Sequence, residues 1–268
     1  MANDEKGKSV EGPDDDGLSR RRFLKAAGLA GGAVLAGYVI AQLTSSPIPV
    51  PSGADGSPAR TRRWTMVIDL RRCDGCRKCT QACHNEHDVP DGQEWIKVYQ
   101  RTENGGSYYF PRPCMHCENA PCLKVCPVGA TFRSKDGLVL IDEDRCIGCR
   151  YCMAACPYDA RSFNWGDPAQ PEAGADLSPM PTRGHTHHKR GIVEKCTFCA
   201  HRVDEGRLPA CVEGCPMKAI YFGDANEDFV SNGAEVLRLS EVLGKQQAFR
   251  WKEELGTEPR VYYLPARR

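Results

Sequence analysis

The chain has 268 residues, a formal net charge of +1 and a hydrophobic content of 41%. This length allows one or two domains, and the near-neutral charge gives no electrostatic case for nucleic-acid binding. Sixteen cysteines are the unusual feature of the composition.

The N-terminal segment carries a targeting motif of the twin-arginine type, with an uncharged Gly- and Ala-rich stretch behind it at 26–43. The motif residues are Arg20, Arg21, Phe23 and Leu24. We expect 1–45 to be a twin-arginine signal or anchor that exports the protein to the periplasm or the extracytoplasmic face of the cytoplasmic membrane. A transmembrane helix is the alternative, because about 18 uncharged residues reach the lower limit of a span. Whether the signal is cleaved stays open.

A Pro-, Gly- and Ser-containing stretch follows, and we expect 46–62 to be a flexible linker. Alternating apolar residues at 63–70 then predict a strand, and 138–142 predicts another. The dipeptides Asn104-Gly105 and Asp136-Gly137 indicate hairpins. We expect the helices between the cysteines to be one to three turns long.

The cysteines stand in four groups of four, with none left over. The groups are Cys73, Cys76, Cys79 and Cys83; Cys114, Cys117, Cys122 and Cys126; Cys146, Cys149, Cys152 and Cys156; and Cys196, Cys199, Cys211 and Cys215. Groups one and three have the CxxCxxCxxxC spacing of bacterial ferredoxins, in which three thiolates hold one cluster and the fourth ligates another. Groups two and four widen one gap each but keep the closing CxxxC.

The closing cysteine is followed by Pro-x-x-Ala in groups two, three and four, so the groups are internal repeats. Two other interpretations are a disulfide framework, since exported proteins often pair their cysteines, and a zinc ribbon for group four. Neither explains one repeated spacing with prolines in register. The pattern therefore favours four [4Fe-4S] clusters.

Between groups three and four lies a long Pro- and Gly-rich stretch whose end is basic and contains His185, His187 and His188. These histidines suggest a metal site, but we favour a solvated basic loop that docks against a partner. After Gly223 we expect a charged helical stretch. Its apolar side would be formed by Val236, Leu237, Leu239 and Leu243. The segment 256–264 predicts a terminal strand.

The order of the four groups, the segment 147–158 and the ending Arg260-Val261-Tyr262-Tyr263-Leu264 resemble one family. It is the four-cluster, ferredoxin-type electron-transfer subunit of complex iron-sulfur molybdoenzymes, of the polysulfide, tetrathionate and nitrite (NrfC-like) reductase type or the sulfite-associated DsrO type. The resemblance implies an α+β fold with two ferredoxin-like double-cluster halves, short strands, short helices and long loops. The expected segments are a four-cluster domain at 63–222, with half one at 63–99 plus 191–222, half two at 100–166 and an inserted loop at 167–190, and a C-terminal extension at 223–268.

The resemblance also implies how the groups share their ligands, with group one paired to group four and group two to group three. The implied sets are set 1, Cys73, Cys76, Cys79 and Cys215; set 2, Cys83, Cys196, Cys199 and Cys211; set 3, Cys114, Cys117, Cys122 and Cys156; and set 4, Cys126, Cys146, Cys149 and Cys152. No ligand is replaced, so each cluster is expected to be a cubane.

No dinucleotide-binding fingerprint or P-loop occurs, and no room remains for a pterin-binding domain. We therefore expect no catalytic residues. The resemblance implies a relay between an NrfD-type membrane subunit that handles quinone and a large molybdopterin or other catalytic redox subunit. The alternative is a free periplasmic polyferredoxin that shuttles electrons by diffusion. Catalysis at an open cluster corner has little support, because every corner has a cysteine.

Overall fold

The computed structural model describes residues 62–103, 106–166 and 188–266. The targeting residues Arg20, Arg21, Phe23 and Leu24 lie outside these ranges, as do the turn residues Asn104 and Gly105 and most of the inserted loop. Within the described ranges, no helix combines the length and the apolar character that crossing a membrane requires.

The described residues form short strands and short helices, which is the mixed content of an α+β fold. The strands are β1 (Trp64–Asp69), β2 (Lys97–Glu103), β3 (Gly106–Arg112), β4 (Thr131–Arg133), β5 (Val139–Ile141), β6 (Arg161–Phe163), β7 (Val193–Lys195), β8 (Ile220–Asp224), β9 (Phe229–Ser231), β10 (Val236–Arg238) and β11 (Val261–Leu264). The helices are α1 (Lys78–His87), α2 (Pro121–Lys124), α3 (Tyr151–Ala154), α4 (Ala200–Asp204), α5 (Ala210–Glu213) and α6 (Leu239–Lys245), with a 3-10 turn at Glu253–Leu255. The predicted helix lengths are confirmed.

The largest sheet has the strand order β10-β9-β8-β1-β11. Its central strand β1 pairs antiparallel with β8 and parallel with β11, so the two ends of the described chain meet in one sheet. All six residues of β1 are buried. Met66 and Ile68 belong to the main core, whereas Val67 packs on the other face with Val242 of α6. Both faces are therefore covered, and the predicted strands at 63–70 and 256–264 are confirmed as β1 and β11.

Three two-stranded hairpins make up the remaining sheet structure of the described residues. β2 pairs with β3 on either side of Asn104-Gly105, and β4 pairs with β5 across Asp136-Gly137, so both predicted hairpins are confirmed. Gly137 has φ +77, the left-handed conformation that such a turn needs. The third pair, β6 with β7, joins the chain on either side of the inserted loop and was not predicted.

The prediction of one helical stretch after Gly223 is wrong for its first half. Val236 and Leu237 lie in β10, which pairs antiparallel with β9, and only Leu239 and Leu243 lie in α6. The cause is a turn at Asn232, whose side-chain Oδ1 accepts hydrogen bonds from the backbone N–H groups of Ala234 and Glu235, both at 2.9 Å. Asparagine favours such turns over helix interiors, so the chain reverses before the helix begins.

Candidate metal centres

Each cysteine group lies on a tight loop, and the residue before its second cysteine is left-handed in all four groups. These residues are Gly75 (φ 78), His116 (φ 43), Gly148 (φ 67) and Phe198 (φ 56). The same backbone turn therefore recurs in every group, which is the structural counterpart of the repeat in the sequence. Such turns let one short loop direct several side chains to one side.

The segment after a closing cysteine directs backbone N–H groups at its sulfur. The N–H of Ala219 donates to Cys215 Sγ, and the N–H of Thr131 donates to Cys126 Sγ, each at 3.4 Å. The N–H of Ala160 likewise favours the thiolate of Cys156, although burial raises the pKa of that thiol overall. The repeated Pro-x-x-Ala therefore folds the chain so that N–H donors stabilise the thiolate, the form that binds metal.

Two cavities in the second cysteine half are each surrounded by four cysteines. One is lined by Cys126, Cys146, Cys149 and Cys152, and the other by Cys114, Cys117, Cys122 and Cys156. Each encloses about 320 Å³ of empty volume, open mouth included. Among the described residues no three His, Cys, Asp or Glu side chains converge as they would on a single ion. The thiols instead surround a space large enough for a multi-atom group.

The remaining eight cysteines also come together from distant parts of the chain. Burial raises the pKa of Cys79 to about 12 and that of Cys73 to about 11, and in both cases Cys215 contributes more than any other cysteine. Burial likewise raises the pKa of Cys83 well above its usual range, with Cys196 and Cys199 adding to the shift. Charge effects of this kind fall off with distance, so group one lies beside group four.

Neighbouring cysteine assemblies also influence one another. Burial raises the pKa of Cys196 to about 11, and Cys114 adds more to this shift than any other cysteine. Burial raises the pKa of Cys152, and Cys122 from the neighbouring cavity adds to it. All sixteen cysteines are free thiols, so the disulfide framework does not form.

One ligand neighbour was missed from the sequence. His87 is buried at the end of α1, and its Nε2 lies 3.1 Å from Cys199 Sγ. A thiolate can only accept a hydrogen bond, so Nε2 is the donor to a deprotonated Cys199. The ring packs on Trp95 with 5.1 Å between centroids. His87 follows Cys83 by four residues, so the two share a helical face, and this spacing is the signal that could have identified it.

The expectation of a solvated histidine loop is wrong for His188. This side chain is buried, its Nδ1 lies 2.8 Å from Glu194 Oε1, and its Nε2 donates to the carbonyl of His87 at 2.8 Å. Burial opposes its charge, but the hydrogen bond to Glu194 raises the pKa of His188 above its usual value. The carboxylate pairs with the ring and makes burial tolerable. His185 and His187 lie outside the described residues.

We expect Gly148→Ala to disrupt the cavity lined by Cys126, Cys146, Cys149 and Cys152. An added Cβ would lie 2.0 Å from the carbonyl oxygen of Gly191. The left-handed conformation alone costs a non-glycine residue roughly 1–2 kcal/mol, and overpacking adds about 1–3 kcal/mol. Thermal unfolding and iron content should both fall. Gly206→Ala is the control, because Gly206 is also left-handed (φ +76) but open space surrounds it. Equal effects in the two variants would contradict this explanation.

Comparison with known proteins agrees with this chemistry. Two models described as 4Fe-4S dicluster domains match the chain, one at residues 72–130 and the other at 106–170 and 179–225. Together the matches include all four cysteine groups. The thiol-lined cavities and the sixteen cysteines fit this class, so the chain is a ferredoxin-type protein with four [4Fe-4S] clusters.

Curated relatives define the family more closely. The chain is 42% identical to the menaquinone reductase iron-sulfur cluster-binding subunit of Nitratidesulfovibrio vulgaris, over 76% of this chain and 89% of the relative. It is 37% identical to a tetrathionate reductase subunit of Salmonella typhimurium, over 92% and 88%, and 34% identical to protein NrfC of Escherichia coli, over 92% and 95%. The chain belongs to the family of NrfC-like iron-sulfur subunits.

Proposed function

We propose that this protein is a non-catalytic electron-transfer subunit of an oxidoreductase complex. It relays single electrons between a membrane subunit of the NrfD type, which interacts with quinone, and a catalytic subunit with a molybdopterin or another redox centre. The names of the relatives support a subunit role, since they are given as subunits of menaquinone reductase and tetrathionate reductase.

We assign the ligands as the four sets implied by the resemblance. Sets 3 and 4 are supported by the two cavities, because each is lined by the four cysteines of one set. Set 1 is supported by the dominant influence of Cys215 on Cys73 and Cys79, and set 2 by the mutual influence of Cys83, Cys196, Cys199 and Cys211. Every cysteine then has one place, so no cluster has an open corner for a substrate.

The contacts between sets are the observation that carries the relay. Cys79 of set 1 acts on Cys83 of set 2, Cys114 of set 3 acts on Cys196 of set 2, and Cys122 of set 3 acts on Cys152 of set 4. The sets therefore follow one another in the order 1, 2, 3, 4. When bound, [4Fe-4S] clusters accept and donate single electrons. The protein keeps most of their ligands buried and holds consecutive sets in contact.

Twin-arginine export supports the proposed location at the extracytoplasmic face of the membrane. This route carries folded cargo, and a protein whose sixteen ligands bind clusters must acquire them before it leaves the cytoplasm. Residues 1–45 would supply the signal or anchor and 46–62 a linker. The ferredoxin-like halves would be 63–99 with 191–222, and 100–166, with an insertion at 167–190 and an extension at 223–268.

Purification from native membranes tests the relay against a diffusing polyferredoxin. We expect the tagged chain to copurify, after mild detergent extraction, with a larger redox subunit and a polytopic membrane subunit. Mass spectrometry of the eluate identifies both. A chain that elutes alone as a soluble monomer, with its clusters intact, would contradict the subunit role and favour the diffusing carrier.

A further inference from the structure

A single buried cation stands between the two cysteine-lined cavities. Arg161 is the first residue of β6, its exposed fraction is 3%, and its side chain lines both cavities. A guanidinium remains charged in proteins, so this position places one positive charge in the shared wall. No motif in the sequence singles this residue out.

The hydrogen bonds of Arg161 leave its charge without a carboxylate partner among the described residues. Its Nη1 donates to the buried hydroxyl of Thr131 at 3.2 Å, and its buried Nη2 has no acceptor within the described part of the chain. Burial opposes the charge, but Cys122, Cys152 and Cys114 raise the pKa of Arg161 overall. An unpaired buried charge is costly, so the negative groups around the cavities are its counterions.

We propose that Arg161 is a positioning residue that sets the reduction potentials of two neighbouring clusters together. The inference rests on the proposed ligand sets, and it concerns the clusters of sets 3 and 4. Adding an electron makes a cluster more negative, so a nearby fixed cation favours the reduced form. One side chain in the common wall therefore raises both potentials and keeps this pair of clusters matched, as rapid exchange of electrons between them requires.

The test is an EPR-monitored redox titration of the full chain, isolated with its clusters. In Arg161→Met we expect two of the four potentials to fall, by roughly a tenfold change in the reduction equilibrium, which is 59 mV for one electron. Arg161→Lys retains the charge on a shorter side chain and should give intermediate values. Arg112→Met is the control, because Arg112 is also buried but bonds to Asp159 and lines neither cavity. It should leave all four potentials unchanged.

Two further variants identify the affected clusters. Cys117→Ser marks the signal of set 3 and Cys149→Ser that of set 4, and the potentials lowered in Arg161→Met should belong to these two signals. Unchanged potentials in Arg161→Met at full iron content would overturn the inference, as would shifts confined to signals that neither serine variant perturbs. If Arg161→Met loses iron, Arg161→Lys decides. Full iron with intermediate potentials supports the role of the charge, and iron loss from both variants overturns it. These potentials are independent of copurification with partners, so failure here is distinct from failure of the relay.

Discussion

Replacing Cys73 and Cys215 together should remove one cluster, although the two residues stand in the first and fourth groups. Each alanine variant alone should lower the iron content by about four atoms, because a cubane depends on all four of its thiolates. If both residues hold the same cluster, the double variant loses no more than either single variant. The measurement is iron and sulfide per chain, and the comparison of double with single variants isolates the coupling.

Cys79 and Cys83 provide the matched control, since they are neighbours on α1 but are assigned to sets 1 and 2. The Cys79→Ala, Cys83→Ala double variant should lose two clusters, or about eight irons. Sequence proximity and shared ligation therefore make opposite forecasts for the two pairs. A double variant of Cys73 and Cys215 that loses twice the iron of the singles would contradict the cross-pairing.

Replacing both Arg20 and Arg21 with lysine should leave nearly all of the protein in the cytoplasm. Lysine keeps the positive charge but lacks the planar guanidinium, so the double variant separates charge from recognition of the arginine pair. The measurement is cell fractionation followed by immunoblotting, with spectra of the retained protein. Those spectra should still contain the [4Fe-4S] absorbance, because the clusters are inserted before export.

Arg22→Lys is the control for this export experiment, because Arg22 lies beside the pair and its replacement changes the segment equally little. We expect normal export of this variant. Full export of the double variant at Arg20 and Arg21 would contradict the twin-arginine assignment. An equal defect in both variants would instead indicate a general effect of the basic segment.

Features repeated in the sequence were predicted well. The cysteine spacing, the Pro-x-x-Ala repeat and the hairpin dipeptides are local signals, and each corresponds to a local backbone turn such as the left-handed conformation at Gly148. The two outer strands of 63–264 were also predicted, but their parallel pairing in one sheet was not. Pairing between β1 and β11 depends on contacts across the whole domain, which no local pattern specifies.

The residues around the centres were harder to predict because their roles depend on burial. His188 looked like part of a basic loop, but the chain returns through β7 and buries it beside Glu194. Arg161 looked like an ordinary strand residue until β6 placed it between two cavities. The switch from helix to strand at Val236 likewise followed from a side-chain turn at Asn232, which hydrophobic periodicity does not detect.

The composition of the isolated protein tests the central claim most directly. Four cubanes held by sixteen cysteines require about sixteen irons and as many sulfides per chain, and a reductive titration should take up about four electrons. Metal analysis, Mössbauer spectroscopy and the titration can be made on one sample. The relay predicts this stoichiometry with no zinc. Zinc in place of iron, or an intense EPR signal of a three-iron centre in the oxidised protein, would contradict it.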